Sequence, residues 1–269
     1  MKIYYRKTGE RRPFVEKVLE IFKDEIQGRK RVLIKPNIVS SEKYPTTTHV
    51  DTLEVVLSFL SKFGCEVIVG DGPAIDVSSK KVMRSHILKD ICDKHNVNFM
   101  NFYEEEMSIR IDNRGRHKLK MSNIPFACDY IISLPLLKTH YLKHIGISCA
   151  LKNQFGYLCK WQRFKAHMGV GSIHKYIAGI NSIVKTDLYI IDALEVMLNG
   201  NEIRHGGHRA KLGIMFAGKD PLSLDAYGLK LLNDLGEKKL LGKRAEDIGY
   251  IQQAVLHNLG SKNYDLLKI

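Results

Sequence analysis

No Cys-x-x-Cys spacing occurs in the 269 residues, and the five cysteines, Cys65, Cys92, Cys128, Cys149 and Cys159, are scattered along the chain. That spacing excludes a zinc ribbon and a ferredoxin-type cluster run and leaves buried, reduced thiols. No run of 18 apolar residues is present, so no membrane-spanning helix is expected. The opening segment MKIYYRKTGERRPF lacks the apolar stretch and cleavage site of a signal peptide. Glycine-rich dinucleotide and P-loop patterns are missing, as is His-Glu-x-x-His, so three common site types have no sequence support. These absences predict a soluble, reduced, cytoplasmic protein that makes no membrane contact.

What is present is basic and globular. There are 42 Lys+Arg against 29 Asp+Glu, a net charge of +13, and 44% hydrophobic residues. A disordered chain would be poorer in apolar residues. The positive excess makes anionic ligands or partners the expectation. It is spread along the chain, with no basic tail of the kind that marks a nucleic-acid arm. Asp112-Asn113-Arg114-Gly115 supplies turn chemistry for a basic hairpin.

Short apolar, β-branched runs alternate with helical patterns. Val32–Ile34, Glu66–Val69, Val97–Met100, Asp129–Leu134, Leu188–Ile191 and Leu212–Ala217 read as strands. Thr52–Phe63 and Lys80–His95 read as helices between them, and Asp220-Pro221 as the capped start of another. The pattern predicts an α/β fold with a mostly parallel central sheet and helices on both faces. Residues 1–269 are expected to form a single domain, with a two-lobed division near residue 125 as the alternative.

In such sheets the ligand crevice lies beyond the carboxyl ends of the strands. Those ends are polar here. Lys35 and Asn37 follow the first strand, with Thr46, Thr47, Thr48 and His49 in the loop beyond. Asp71 stands between two glycines, Lys138, Thr139, His140 and His144 follow Leu134, and Asp192 follows Ile191. Converging lysines, with Lys152 and Lys165 among them, would hold phosphate or carboxylate. The threonines would offer hydroxyls near a helix start, although capping by Thr48 or Asp51 explains them equally well. His140 and His144, four apart, are the candidate metal ligands if that stretch is helical. Trp161, with Lys160, Arg163, Lys165 and His167, reads as a basic lid.

Several blocks then fit one pattern: VLIKPNIV (32–39), TTH (47–49), VGDGP (69–73), LPLLKTH (134–140), ALKNQFG (150–156), IIDA (190–193) and AGKDPLSLDA (217–226). In this order they resemble the domain-of-unknown-function 362 family, over roughly residues 32–235. The resemblance implies an α/β fold and a site map but no reaction. It places the family's Lys-Thr-His block at Lys138, Thr139 and His140 and its Lys-Asn block at Lys152 and Asn153. Arg163, Lys165 and His167 stand for a further basic segment. Many members carry ferredoxin-like modules; this chain lacks such a cysteine run, so an intrinsic iron–sulfur cluster is not expected.

The reading that follows is an enzyme of unknown reaction class. His49, Asp71, Lys138, His140 and Asp192 are its candidate catalytic residues. Lys35, Asn37, Thr47, Thr48, Thr139, Lys152, Asn153, Lys165 and His167 are the candidate ligands for an anionic small molecule. A metal cofactor is a candidate at His140 and His144. The alternatives are a redox accessory protein docking an iron–sulfur partner through its basic face, and an RNA-binding protein.

Overall fold

The computed structural model describes residues 1–269. Twelve strands are formed in chain order. They begin with β1 (Lys2–Lys7), β2 (Arg31–Pro36), β3 (Glu66–Asp71), β4 (Asn98–Asn101), β5 (Met107–Ile111) and β6 (Lys118–Ser122). The second half contributes β7 (Tyr130–Leu134), β8 (Leu136–Thr139), β9 (Ile147–Ser148), β10 (Leu188–Leu198), β11 (His208–Gly218) and β12 (Asp265–Lys268). The main sheet runs β12-β1-β11-β10-β7-β2-β3-β4, with β8 attached to β10 and β9 to β8. From β10 to β4 every pairing is parallel; β11 is antiparallel to both its neighbours. The fold is therefore α/β with a mostly parallel sheet, as the alternating pattern predicts.

Strand periodicity explains the layering. Val32 and Ile34 of β2, Tyr130 and Ile132 of β7, and Leu188 and Ile190 of β10 point into one apolar layer. Leu33, Ile131, Tyr189 and Ile191, the residues between them, point into the other. Helices α1 (Arg12–Ile21), α3 (Val50–Leu60), α4 (Ser79–Arg84) and α5 (Ile87–Lys94) cover the first face, with the short α2 (Lys23–Ile26) beside α1. Helices α6 (Ala150–Asn153), α8 (Ile173–Ile183), α9 (Pro221–Asp234) and α10 (Gly249–Leu256) cover the second; α7 (Lys160–His167) lies over its edge. Because both faces are buried, the parallel strands are apolar throughout rather than alternating with polar residues.

The hairpin at residues 110–120 forms as β5 and β6, and Asp220 caps α9 through its Oδ1, with Pro221 in the first turn. Other boundaries differ from the sequence reading. The helix expected over Lys80–His95 is two helices, because His86 adopts an extended backbone and its Nδ1 accepts from the N–H of Leu88 to start α5. His49, rather than Thr48 or Asp51, caps α3. The strand expected to end at Ile191 continues to Leu198 through a bulge at Ala193–Glu195, since β11 supplies an antiparallel partner along its length. β2 and β7 pair over five positions, so the sheet is continuous across residue 125. No helix is long and apolar enough to cross a membrane.

From β2 the chain builds outward through β3 and β4, then returns to the other side of β2 to lay down β7 and β10. The strand order reverses between β2 and β7, and a crevice opens at their carboxyl ends.

Candidate functional site

A buried ion pair forms the floor of the crevice. Lys35, the penultimate residue of β2, is fully buried, and its Nζ donates to Asp71 Oδ1 at 2.5 Å. Asp71, at the end of β3, also accepts from the N–H groups of Gly72 (2.7 Å) and Ile38 (2.8 Å). Its carboxylate thereby locks the two strand exits together. The stacked rings of Phe102 and Tyr157 lie beneath the ammonium, 6.0 and 5.3 Å from it. Burial lowers the Lys35 pKa, and Asp71 opposes that shift.

An amide lattice joins this floor to the next strand. Asn37 Nδ2 donates to Asn153 Oδ1 (3.1 Å), and Asn153 Nδ2 donates to Ser133 Oγ (2.9 Å). Lys138, on β8, donates to Asn37 Oδ1 (2.5 Å) and the Thr46 carbonyl (2.9 Å). Lys138 is 2% exposed, and burial lowers its pKa to about 8.

Two further cations complete the set. Arg163 projects inward from α7 and donates to the carbonyls of Gly72 (2.6 Å) and Pro73 (2.9 Å) and to the Tyr103 hydroxyl. Its Nε is buried without a partner. Lys152, on α6, faces the crevice above the Phe155 ring (4.8 Å) and makes no hydrogen bond or ion pair within the chain. Burial, and then the charges of Arg163, Lys138 and Lys35, lower its pKa to about 7. Four cations thus meet on a floor that holds one carboxylate.

Two histidines that line the crevice, His140 and His167, are held in opposite tautomers. His140 Nδ1 accepts from the N–H of Leu142 (3.1 Å), so its proton belongs on Nε2. His167 Nδ1 lies 2.7 Å from the Arg163 carbonyl, which can only accept, so His167 carries its proton on Nδ1 and leaves Nε2 as a lone pair. Burial and the neighbouring lysines hold both neutral: His140 is well below its ordinary range and His167 is lowered to about 4. The crevice therefore presents one neutral N–H donor and one neutral base. The cavity is about 150 Å³, rimmed by Tyr141, Asn201, Glu202, His205 and Asp76.

Of the residues singled out in the sequence, Lys35, Asn37, Asp71, Lys138, His140, Lys152, Asn153 and His167 meet around this crevice. The others lie elsewhere. Thr48 Oγ1 joins the Leu134 carbonyl to the Asn37 N–H, Thr47 is buried, and Thr139 Oγ1 faces the Met197 carbonyl. Lys165 lies on the far side of α7 against Trp161 (5.0 Å). The stretch from His140 to His144 is a turn, and the exposed His144 packs edge-on against His174, so the two do not share a helix face. No group of three or more His, Cys, Asp or Glu side chains is gathered as metal ligands. The Nε2 of His140, protonated by the argument above, is a donor rather than a ligand; these residues do not fit a metal held by the proposed pair.

His49 and Asp192 form a second cluster. Asp192 accepts from Arg11 Nε (2.6 Å), the Tyr44 hydroxyl (2.8 Å) and the Leu194 N–H (3.0 Å). The Arg11 guanidinium stacks over Tyr44 (4.4 Å), whose ring meets His49 edge-on. Arg163 belongs to the crevice although sequence reading placed it in a lid; its spacing of four from His167 on one helix was the available signal. Gly156 was missed as a structural requirement. A Cβ there would stand 2.0 Å from Asp71 Oδ1 and 2.9 Å from Lys35 Nζ.

Residues 32–230 match the model of a family described as Domain of unknown function (DUF362). No curated protein matches the sequence. The fold is similar to that of the lactate racemase apoprotein from Thermoanaerobacterium thermosaccharolyticum, with a TM-score of 0.60 and 14% identity. The likeness covers 87% of this chain and 57% of that one, so the chain spans a little over half the length of that protein.

Proposed function

The chain belongs to the DUF362 family, and from that premise we propose that it is an enzyme whose crevice binds a small carboxylate or phosphate, with His140 and His167 moving protons on it. The observation that carries this reading is the charge imbalance of the floor: Lys35, Lys138, Lys152 and Arg163 against Asp71, while the rim carboxylates Asp76 and Glu202 are paired with Arg204. Buried charge is tolerated when it is paired. A bound anion would supply the missing partner: Lys152 has every donor free, and Lys138 keeps one N–H and Arg163 its Nε–H to hold it. The solved protein of similar fold is named for lactate, a small carboxylate, and a crevice of this charge suits that class of ligand.

The histidine tautomers support proton transfer. A neutral Nε2–H can stabilise developing negative charge on oxygen, while a neutral Nε2 lone pair can accept a proton nearby. His140 feels the charges of Lys152 and Lys138, so these groups act within one electrostatic field.

Titration calorimetry with oxalate and with inorganic phosphate tests the reading. At pH 6.5–7, saturable binding of one equivalent is expected, weakened at least tenfold in Lys138→Ala and Lys152→Ala. Absence of binding to either anion, or equal binding in both variants, overturns it.

A further inference from the structure

Lys152 differs from the other three cations of the crevice. Lys35 is committed to Asp71, Lys138 to Asn37 and the Thr46 carbonyl, and Arg163 to the carbonyls of Gly72 and Pro73. The Lys152 amine has no protein partner and faces a cavity that His140, a proton donor, and His167, a proton acceptor, also line. A lysine freed from ion pairing and crowded by other cations is the arrangement that makes an amine nucleophilic.

We infer that Lys152 forms an imine with a small 2-oxo acid, the neighbouring cations holding the carboxylate while the amine attacks the adjacent carbonyl carbon. The inference rests on the anion-binding reading above and adds to it the carbonyl group and the covalent step. The Nζ lone pair forms the C–N bond as the carbonyl π pair moves to oxygen, where His140 Nε2–H stabilises the charge. His167 Nε2 then carries the two amine protons, one after the other, to that oxygen. The C–O bond breaks, water leaves, and C=N remains. Atoms and electrons balance without an oxidant or reductant. The lowering of the Lys152 pKa to about 7 leaves much of the amine unprotonated near neutrality, where an ordinary lysine is almost wholly charged. The cavity of about 150 Å³ has room for an acid the size of glyoxylate or pyruvate.

The test is reductive trapping. The full chain is incubated with pyruvate and sodium cyanoborohydride at pH 7, and the adduct is mapped by peptide mass spectrometry. Labelling of Lys152 is expected to saturate with pyruvate, to exceed labelling of exposed lysines such as Lys17 and Lys80 at least tenfold, and to be suppressed by oxalate. Lys152→Arg, which keeps the charge, should lose the adduct while remaining folded by circular dichroism, and His167→Gln should slow trapping at least tenfold. Labelling of Lys152 no greater than that of the exposed lysines overturns the inference. If oxalate or phosphate still binds in that case, the anion-binding reading stands and only the imine is lost; if neither binds, both fall.

Discussion

Two clusters of buried charge serve this fold in opposite ways. In the Arg11–Tyr44–Asp192 cluster, the carboxylate faces one cation and accepts a tyrosine hydroxyl and a backbone N–H, so charge and hydrogen bonds close on themselves. On the floor of the crevice between β2 and β7, four cations surround one carboxylate, and an ammonium is left without a partner. Closed networks stabilise; open ones carry desolvated charge that a ligand can compensate. The difference separates a structural ion pair from a candidate binding site even though both involve aspartates that follow buried strand residues in the sequence.

The comparison breaks most visibly through Asp192. Asp192→Ala leaves Arg11 unpaired in a half-buried position and should destabilise the protein by about 3–5 kcal/mol in urea denaturation. Its affinity for oxalate should stay unchanged within roughly twofold, since no Asp192 contact enters the crevice. An equal loss of affinity would merge the two clusters into one functional unit.

The mirror-image experiment is Lys152→Met. Removing the unpartnered ammonium should weaken oxalate binding by about 1.5–3 kcal/mol, the worth of a hydrogen bond to a charged group. The same substitution should leave the ligand-free protein as stable as before or more so, because no hydrogen bond or ion pair is lost, only the contact with the Phe155 ring, and a desolvated charge is removed. A marked loss of stability would show Lys152 to be part of the scaffold.

Gly156→Ala tests the shared border of scaffold and site. The added methyl collides with Asp71 and Lys35, and overpacking of this kind costs about 1–3 kcal/mol. Stability and oxalate binding should fall together here, unlike in either of the preceding variants.

The pH profile sharpens the comparison without any substitution. Lys152 and Lys138 titrate at about 7 and 8 in the folded chain, below the ordinary 10.5. Between those folded values and 10.5 the unfolded chain binds more protons, so ligand-free stability should rise with pH from about 7 to 10. Oxalate affinity should fall over the lower part of the same window as the ammonium groups are lost. Thermal melts with and without oxalate should therefore converge as the pH rises; parallel curves would remove the lysines from the account.

Much of this was legible in the sequence because strands announce themselves and strand exits locate the crevice. Lys35, Asn37, Asp71 and Lys138 were placed by that rule alone. Asp192 misled for the same reason: Ile190-Ile191-Asp192 reads as a strand ending in a carboxylate, whereas the antiparallel β11 extends that strand to Leu198. The pairing partner lies some twenty residues downstream and leaves no local mark. His140 and His144 misled through a spacing that means one face only if the segment is helical, and here it is a turn. Histidine tautomers were beyond sequence reading altogether, since they depend on whether a backbone N–H or a carbonyl lies beside Nδ1.

The bonds that bind the crevice together have a kinetic consequence. Asn37 reaches Asn153 across 116 positions, and Lys138 reaches Asn37 across 101. Contacts of such sequence separation close only after the intervening chain is ordered, and they slow folding as their share grows. Affinity for an anion should thus emerge last during refolding, after the far-ultraviolet signal of the helices has recovered. The ligand would then report completion of the native topology rather than mere collapse.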